Sequence, residues 1–308
     1  MAATESKKIS NRTVGNNVWL KSSEKGLEEY QVQEINYEIL PTEESVGQVM
    51  FAELQTVYRA KNGDITIALL GGRGAQALHR ILGEKAKTNE IDDLLAHLNV
   101  FTQDALAPMR MDNSLSFVRD FERLLGADFF KKIKSFTPMQ TDTDDLEGEL
   151  VKYIEKLEAF GGLDIFFLGF GPEAENASHL AYIKPKSGAN LNDVVGIIPI
   201  SSSILEHHIS KFKAGGSEIS ETDEAECRNA AYILTLGPAG ILNAKRIVQS
   251  IVDASTAPAK KACYKNFLET ELSKDLTERA KQLDENPGLW LRLHPNVRSL
   301  ILPDVLEN

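Results

Sequence analysis

Residues 65–84 read ITIALLGGRGAQALHRILGE. The first six are apolar or β-branched without a break, which is typical of a strand covered on both faces. Three glycines lie among the next four residues, and Leu78, Ile81 and Leu82 then recur at the spacing of one helix face. The stretch therefore predicts a strand, a tight glycine turn and a helix, which is the repeating unit of a parallel α/β sheet.

The same order recurs along the chain. Six or seven strands that alternate with helices predict an α/β fold that is doubly wound, with a mostly parallel Rossmann-like sheet and helices on both faces. No linker rich in Gly or Pro divides residues 26–308, so they are predicted to form one domain. Residues 1–25 are polar and lack periodicity, which predicts a flexible N-terminal arm. The further apolar runs lie at 98–102, 163–170, 194–200, 231–237, 246–252 and 297–302.

The net charge limits which kinds of molecule the protein is expected to bind, and the cysteine count bears on its location. The chain has 308 residues and a formal net charge of -11 at pH 7, so DNA and anionic membranes repel it at long range. We therefore predict neither a nucleic-acid nor a membrane partner. Cys227 and Cys263 are the two cysteines. These two residues could form one disulfide, but we predict two buried free thiols, which is consistent with a cytoplasmic location.

The glycine turn is a candidate anion site. In open α/β sheets ligands bind beyond the carboxyl ends of the strands, where helix N-termini offer amide donors. Gly71, Gly72 and Gly74 would let the backbone approach a phosphate, and Arg73 would add a bidentate charge. The pattern is neither a Walker motif nor G-x-G-x-x-G, so it predicts no nucleotide cofactor. The alternative is a tight turn that needs glycine only for its geometry.

Titratable residues follow two further strands. Asp104 comes two residues after the run 98–102 and is a candidate general base, with a capping role for the next turn as the alternative. Glu173 and His179 follow the run 163–170, and a His near acids can exchange protons near neutral pH. The alternative is a solvated polar loop. No second His or Cys lies at ligand spacing, and the adjacent His207 and His208 would point apart on a helix, so no metal is predicted.

A lysine pair follows a later strand. Lys260 and Lys261 come after Pro258, near the start of the helix that follows the run 246–252. They could supply positive charge to a phosphate. The alternative is that both are simply solvated, as most surface lysines are.

The order of these motifs resembles the glucosamine-6-phosphate deaminase (isomerase) and 6-phosphogluconolactonase family. The likeness runs from about residue 45 to 302. It is carried by LLGGRGAQALHRIL for the family's sugar-phosphate loop, FTQDALAP for its Asp motif and GFGPEAENASHLAYIKP for its histidine loop. The later segments YILTLGPAGILNAKRI and LWLRLHPNV favour the deaminase branch.

The resemblance implies a mechanism and a set of site residues. Asp104 would move a proton between C2 and C1 of the sugar, and His179 would assist ring opening. Glu173 would replace the family's Asp only if residues 174–177 are an insertion. Lys184 stands at a position where the deaminases carry an acidic residue. Phosphate affinity would then come from the glycine turn, Arg73, Lys184 and Lys261.

Three functions follow as hypotheses. The resemblance favours an isomerase or deaminase acting on an aldose or amino-sugar phosphate through an enediol-type intermediate. The alternatives are a lactone hydrolase of the phosphogluconolactonase kind, in which His179 activates water, and a non-catalytic sugar-phosphate-binding protein. Each implies a small-molecule sugar phosphate as partner and no cofactor. The family's deaminases often associate, so a homo-oligomer stays open.

Overall fold

The computed structural model describes residues 9–22, 24–214, 216–252, 254–255 and 257–306. Its strands are β1 (Ser10–Val14), β2 (Asn17–Lys21), β3 (Asn36–Ile39), β4 (Ile65–Leu69), β5 (Leu98–Thr102), β6 (Asp104–Ala107), β7 (Ser135–Thr137), β8 (Ile165–Leu168), β9 (Gly171–Pro172), β10 (Ser178–His179), β11 (Asp193–Pro199), β12 (Tyr232–Leu236), β13 (Ile247–Ile251) and β14 (Val297–Ile301). Its helices are α1 (Glu43–Lys61), α2 (Gln76–Thr88), α3 (Asp92–Ala96), α4 (Phe117–Lys132), α5 (Leu146–Ala159), α6 (Ser202–Ala214), α7 (Glu221–Arg228), α8 (Pro238–Leu242), α9 (Ala259–Glu269) and α10 (Leu276–Glu285).

The first long helix shows how local sequence sets the element bounds. At the start of α1 the hydroxyl of Thr42 accepts a hydrogen bond from the backbone N–H of Ser45 at 3.1 Å, which satisfies one of the helix's unpaired donors. At its end Asn62 adopts a left-handed conformation with φ 51°, which asparagine tolerates better than most residues. Val46, Met50 and Leu54 lie on the buried face between these caps.

A seven-stranded sheet forms the centre of the fold, with strand order β3-β14-β13-β8-β4-β5-β7. Neighbouring strands are parallel throughout. This confirms the predicted doubly wound α/β class. The chain builds outward from β4 through β5 to β7, then returns to the other side of β4 with β8. A topological switch point therefore lies between β4 and β8, which is where such sheets bind ligands.

Helices cover both faces of this sheet. On one face Ile65, Ile67 and Leu69 of β4 pack in a core with the buried sides of α1, α2 and α4. On the other face Ala68 packs in a second core with α5 and α9. Successive side chains of a strand point to opposite faces, so the uninterrupted apolar run of β4 serves both cores.

Two of the predicted strands lie in a different sheet. The runs 194–200 and 231–237 form β11 and β12, which belong to a five-stranded antiparallel sheet of order β1-β2-β11-β12-β6. The expectation that they join the parallel sheet is wrong. An apolar run indicates that both faces are buried, as they are for β11, but it does not indicate the direction of the neighbouring strand. The parallel sheet instead contains β3 and β7, which are short and not strongly apolar.

The predicted flexible arm is wrong for residues 10–21. They form the antiparallel hairpin β1–β2, which pairs with β11. Trp19 is fully buried, and its indole N–H donates to the carbonyl of Ser187 at 3.3 Å. Arg12 forms an ion pair with the buried Asp193. The sequence hides this because the hairpin is stabilised by residues more than 160 positions away; residues 1–8 lie outside the described residues.

Two further predictions concern the cysteines and the membrane. Cys227 and Cys263 are both buried free thiols, as predicted. Across the part of the chain that the structure describes, every helix is too short or too polar to cross a bilayer.

Candidate functional site

The candidate residues follow strands that lie side by side. In the order β13-β8-β4-β5, the segments after the carboxyl ends carry Lys261, the pair Glu173 and His179, the glycine turn 71–74, and Asp104. Neighbouring strands lie about 4.8 Å apart. Four segments that are distant in sequence therefore meet at one edge of the sheet, across its switch point.

Asp104 is buried at the point where the chain passes from the parallel sheet to the antiparallel one. It begins β6 and lies opposite Thr235 of β12, so it does not cap a helix. Only 3% of the residue is exposed. Burial raises the pKa of Asp104 to about 7, against a smaller lowering effect of the Gln103 side chain. A carboxyl group with this pKa can take up and release a proton near neutral pH.

A small cleft lies beside Asp104. Most of its lining is apolar, which keeps the carboxyl group away from water. The lining residues include Met109, Phe117, Met139 and Thr141.

His179 and Glu173 form a hydrogen-bonded pair. The Nδ1 atom of His179 lies 2.8 Å from Oε1 of Glu173. A carboxylate oxygen can only accept, so Nδ1 carries the proton and Nε2 is the atom left to exchange one. Burial alone would raise the pKa of Glu173, but the hydrogen bond and the charges of His179 and Lys184 outweigh it and hold that pKa below its usual value.

The segment between the two residues is a turn. β9 and β10 pair as a two-stranded hairpin, and the backbone N–H of Glu173 donates to the carbonyl of Ala177 at 2.8 Å. Residues 174–176 form a short 3-10 turn outside the pairing. Glu173, and not Ala177, therefore contacts the imidazole.

Gly171 makes room for the imidazole. A Cβ atom on Gly171 would lie 1.7 Å from Nε2 of His179, so any larger residue must displace the ring. The glycine is thus required by a close approach of side chain to backbone.

Gly171→Ala is expected to rotate His179 away from Glu173. We expect a loss of stability of roughly 1–3 kcal/mol, as for other overpacked sites, and a fall in turnover comparable to that of removing the histidine. Gly126→Ala is the control, because Gly126 has φ 76° but open space around its Cβ position. It should lower the melting temperature without lowering turnover. Full activity of the Gly171 variant would contradict this account of the loop.

Tyr182 is a site residue that the sequence motifs did not single out. Its ring is nearly parallel to that of His179, with an interplanar angle of 10° and centroids 5.7 Å apart. Its backbone N–H donates to Oγ1 of Thr235 at 3.2 Å, and Thr235 is the residue opposite Asp104. Tyr182 therefore links the two candidate catalytic groups. The only signal in the sequence is its place in HLAYIKP.

Lys184 lies close to the histidine pair. Its Nζ donates to Oγ of Ser201 at 3.3 Å, and the side chain is half-buried. Burial lowers the pKa of Lys184, and the nearby charge of Glu173 partly offsets this. The charge of Lys184 therefore stabilises the negative charge of Glu173.

Arg73 already has an acidic neighbour. Its Nε donates to Oε1 of Glu43 at 3.0 Å, and 41% of the side chain is exposed. At two positions of the turn, close packing by neighbouring side chains leaves room only for glycine. A Cβ on Gly71 would meet the ring of Phe117, and a Cβ on Gly74 would lie 2.9 Å from Oγ of Ser250. Gly72 has φ 80°, which favours glycine. The phosphate role of the turn stays a prediction.

Lys261 lies in the first turn of α9. This helix packs on the histidine loop, where Nδ2 of Asn266 donates to the carbonyl of Asn176 at 2.9 Å. Within the described ranges Lys261 has no ion-pair partner, whereas Lys260 is largely buried. Lys261 therefore carries its charge on an element that contacts the site.

The described histidines other than His179 form no metal site. Nε2 of His208 lies 2.7 Å from the carbonyl of Leu115 in the core, and the side chain of His207 lies outside the described residues. Among the side chains that are described, no three of His, Cys, Asp or Glu come together where they could hold a metal ion.

Comparison with solved structures relates this architecture to two kinds of enzyme. A monomeric glucosamine-6-phosphate deaminase superposes with a TM-score of 0.66 at 20% sequence identity, over 88% of this chain and 98% of that one. The 6-phosphogluconolactonase from Trypanosoma cruzi superposes with a TM-score of 0.63 at 16% identity, over 91% and 98%. The chain has the fold shared by these two kinds of enzyme.

Sequence comparison matches one of these two kinds of enzyme over part of the chain. The glucosamine-6-phosphate deaminase of Staphylococcus aureus (strain JH9) is 30% identical over 156 residues, which is 51% of this chain and 50% of that protein. The chain thus spans about half the length of the curated relatives that it matches. No protein-family model matches the chain. Together these findings confirm the resemblance to the deaminase and phosphogluconolactonase family.

Proposed function

We propose that this protein acts on an aldose or amino-sugar phosphate by proton transfer through an enediol-type intermediate. One observation carries the proposal. A buried carboxyl group with a pKa of about 7, that of Asp104, is connected through Thr235 and Tyr182 to a histidine that is hydrogen-bonded to Glu173. Such a pair of titratable sites can act as base and acid at the same pH.

The proposed steps assign one proton transfer to each group. Nε2 of His179 takes the proton from the C1 hydroxyl and passes it to the ring oxygen as the sugar ring opens. The carboxylate of Asp104 removes the proton from C2 and returns it to C1, so that the two carbons exchange oxidation states. With a C2 amino group the product of this step is an imine, and attack by water releases ammonia. With a C2 hydroxyl group the product is the ketose.

The phosphate is proposed to lie over the glycine turn 71–74. The backbone there precedes α2, whose N-terminus favours negative charge. Arg73, Lys184 and Lys261 would supply the positive charges. The chain carries a net charge of -11, so an anionic ligand requires such a local concentration of cations.

Arg73→Ala is expected to weaken binding of phosphorylated sugars by roughly 10–100-fold, since a charge-assisted hydrogen bond contributes about 1.5–3 kcal/mol. Binding of the dephosphorylated sugars should hardly change. Calorimetric titration of both ligand types measures the difference. Arg80→Ala is the matched control, because Arg80 lies on α2, just after the glycine turn, and likewise pairs with a glutamate of α1, Glu44. Equal losses for both ligand types would argue against a phosphate role for Arg73.

A lactone hydrolase is the second candidate. Lys184 places a cation near the His179 and Glu173 pair, which suits an oxyanion forming at a lactone carbonyl better than a departing ammonium group. In this reaction Nε2 of His179 would activate water, and Asp104 would have no required step. A sugar-phosphate-binding protein without activity is the third alternative.

A ligand screen followed by two assays separates these functions. Hexose, hexosamine and gluconate phosphates are tested by thermal shift, where a ligand at 100 times its Kd adds about 2.7 kcal/mol of stability. Ketose and ammonia formation are then assayed against lactone hydrolysis. The proposal expects the first activity, loss of it in Asp104→Asn, and no lactone hydrolysis. Binding without turnover would support the third alternative.

We also propose a cytoplasmic location, which agrees with the two free thiols.

A further inference from the structure

Tyr182 contacts a candidate proton-transfer group, yet the proposed chemistry gives it no step. Its ring lies parallel to the imidazole of His179 with centroids 5.7 Å apart, within the range of offset aromatic stacking. On its other side its backbone is tied to Thr235, opposite Asp104. The question is what the ring contributes.

The backbone holds this ring in place at a strained turn. Leu180 and Ile183 exchange two backbone hydrogen bonds of 3.2 and 2.8 Å, and both side chains are buried. Between them Ala181 has φ 49°, a left-handed conformation that alanine rarely adopts and that functional sites often contain. The turn therefore presents Tyr182 in one orientation.

Two contacts restrain the imidazole of His179 without fixing the tilt of its ring. The bond to Glu173 fixes Nδ1, and Gly171 lies against the edge that carries Nε2. The terminal torsion of a histidine side chain is broad, so these contacts leave the tilt of the ring unfixed. A parallel ring on one face removes that freedom. The Tyr182 hydroxyl has no hydrogen-bond partner in the described part of the chain, so its contact to His179 is through the ring.

We infer that Tyr182 is a positioning residue, whose ring holds the His179 imidazole in the plane that bonds Glu173 and keeps Nε2 aligned for proton transfer. The inference rests on the proposed function only for that last step. Burial and the charge of Asp104 raise the pKa of Tyr182, so the phenol stays protonated across the working pH range. It therefore takes no part as a base.

A spectroscopic test needs no substrate. The His179 Hε1 resonance, assigned by its absence in His179→Gln, is compared in the wild type, Tyr182→Phe and Tyr182→Leu. We expect the ring-current shift to persist in the Phe variant and to be lost, with broadening, in the Leu variant. An unchanged resonance in the Leu variant would overturn the inference. If the Leu variant does not fold, loss of the shift in the Phe variant would overturn it equally.

A kinetic test follows on any sugar phosphate that the wild type converts. Tyr182→Leu is expected to lower kcat roughly 10–100-fold with little change in KM, as misplacement of a catalytic group does. Tyr182→Phe should restore kcat to within about twofold of the wild type. Tyr232→Leu, at an exposed tyrosine of β12, is the control and should change neither. Equal impairment of the Phe and Leu variants would assign the role to the hydroxyl and reject the ring. If the wild type converts nothing, the proposed function fails and the resonance still tests the positioning.

Discussion

Asp104→Asn is expected to lower kcat by roughly 10²–10⁴-fold, the usual contribution of a general acid or base. The reason is that asparagine keeps the size of the side chain but cannot accept the proton from C2. In the wild type kcat should fall as the pH drops below about 7, because the carboxyl group then becomes protonated. That limb of the pH profile should be missing from whatever activity the variant retains.

The same substitution should stabilise the protein at alkaline pH. The pKa of Asp104 is raised from 3.8 to about 7 in the folded protein, so its favourable contribution is complete below pH 4 and is lost as the pH rises through 7. An uncharged asparagine does not lose this stability. The free energy of unfolding of the variant, relative to that of the wild type, should therefore be higher at pH 8 than at pH 4 by up to roughly 4 kcal/mol. Urea unfolding at the two pH values measures this.

Asp193→Asn is the matched control for Asp104. Asp193 is also a buried aspartate of the antiparallel sheet, and burial raises its pKa too, but it is paired with Arg12. Its replacement leaves that arginine without its partner, so stability should fall while kcat stays unchanged. If Asp104→Asn behaved like this control, Asp104 would be a structural residue.

The second large effect is expected at the histidine pair. His179→Gln should lower kcat/KM by roughly 10²–10⁴-fold. Glu173→Gln should lower it less, because the amide oxygen still accepts from Nδ1 but no longer stabilises the charged imidazole. The double variant should be no worse than His179→Gln alone, since Glu173 acts through the histidine. Steady-state kinetics of the three variants measures the coupling.

His97→Gln provides the control for the pair. The Nδ1 atom of His97 is likewise held, 2.8 Å from the backbone carbonyl of Asp93, but His97 follows α3 and lies away from the carboxyl edge. Its replacement should leave kcat/KM unchanged. Additive losses in Glu173→Gln and His179→Gln would contradict the proposal that the two residues act as a unit.

Much of the fold could be predicted because burial leaves a clear pattern. The runs that became β4, β5, β8, β13 and β14 are rich in apolar residues and almost wholly buried, and in the structure all five lie in the parallel sheet. The same signal failed for β11 and β12, since it carries no information on strand direction. The hairpin β1–β2 was missed because its stability comes from contacts such as that of Trp19 with Ser187, which no local pattern encodes.

The candidate site, too, could be predicted only in part. Asp104, Glu173 and His179 follow strands, so the switch-point rule was enough to group them. Local motifs could not show that Glu43 pairs with Arg73, because that contact joins α1 to the glycine turn. Nor could they show Tyr182, whose position depends on the left-handed Ala181. Alanine gives no sequence signal for that conformation.

The central claim is that Asp104 transfers a proton at C2 of a sugar phosphate. It is tested most directly by incubating the wild type and Asp104→Asn with glucosamine-6-phosphate and with glucose-6-phosphate in D₂O, and measuring deuterium in the recovered sugars by mass spectrometry. The account predicts that the wild type introduces carbon-bound deuterium from the solvent into at least one of the two sugars and that the variant introduces none. Incorporation that persists in Asp104→Asn, or that is absent from the wild type with both sugars, would contradict it.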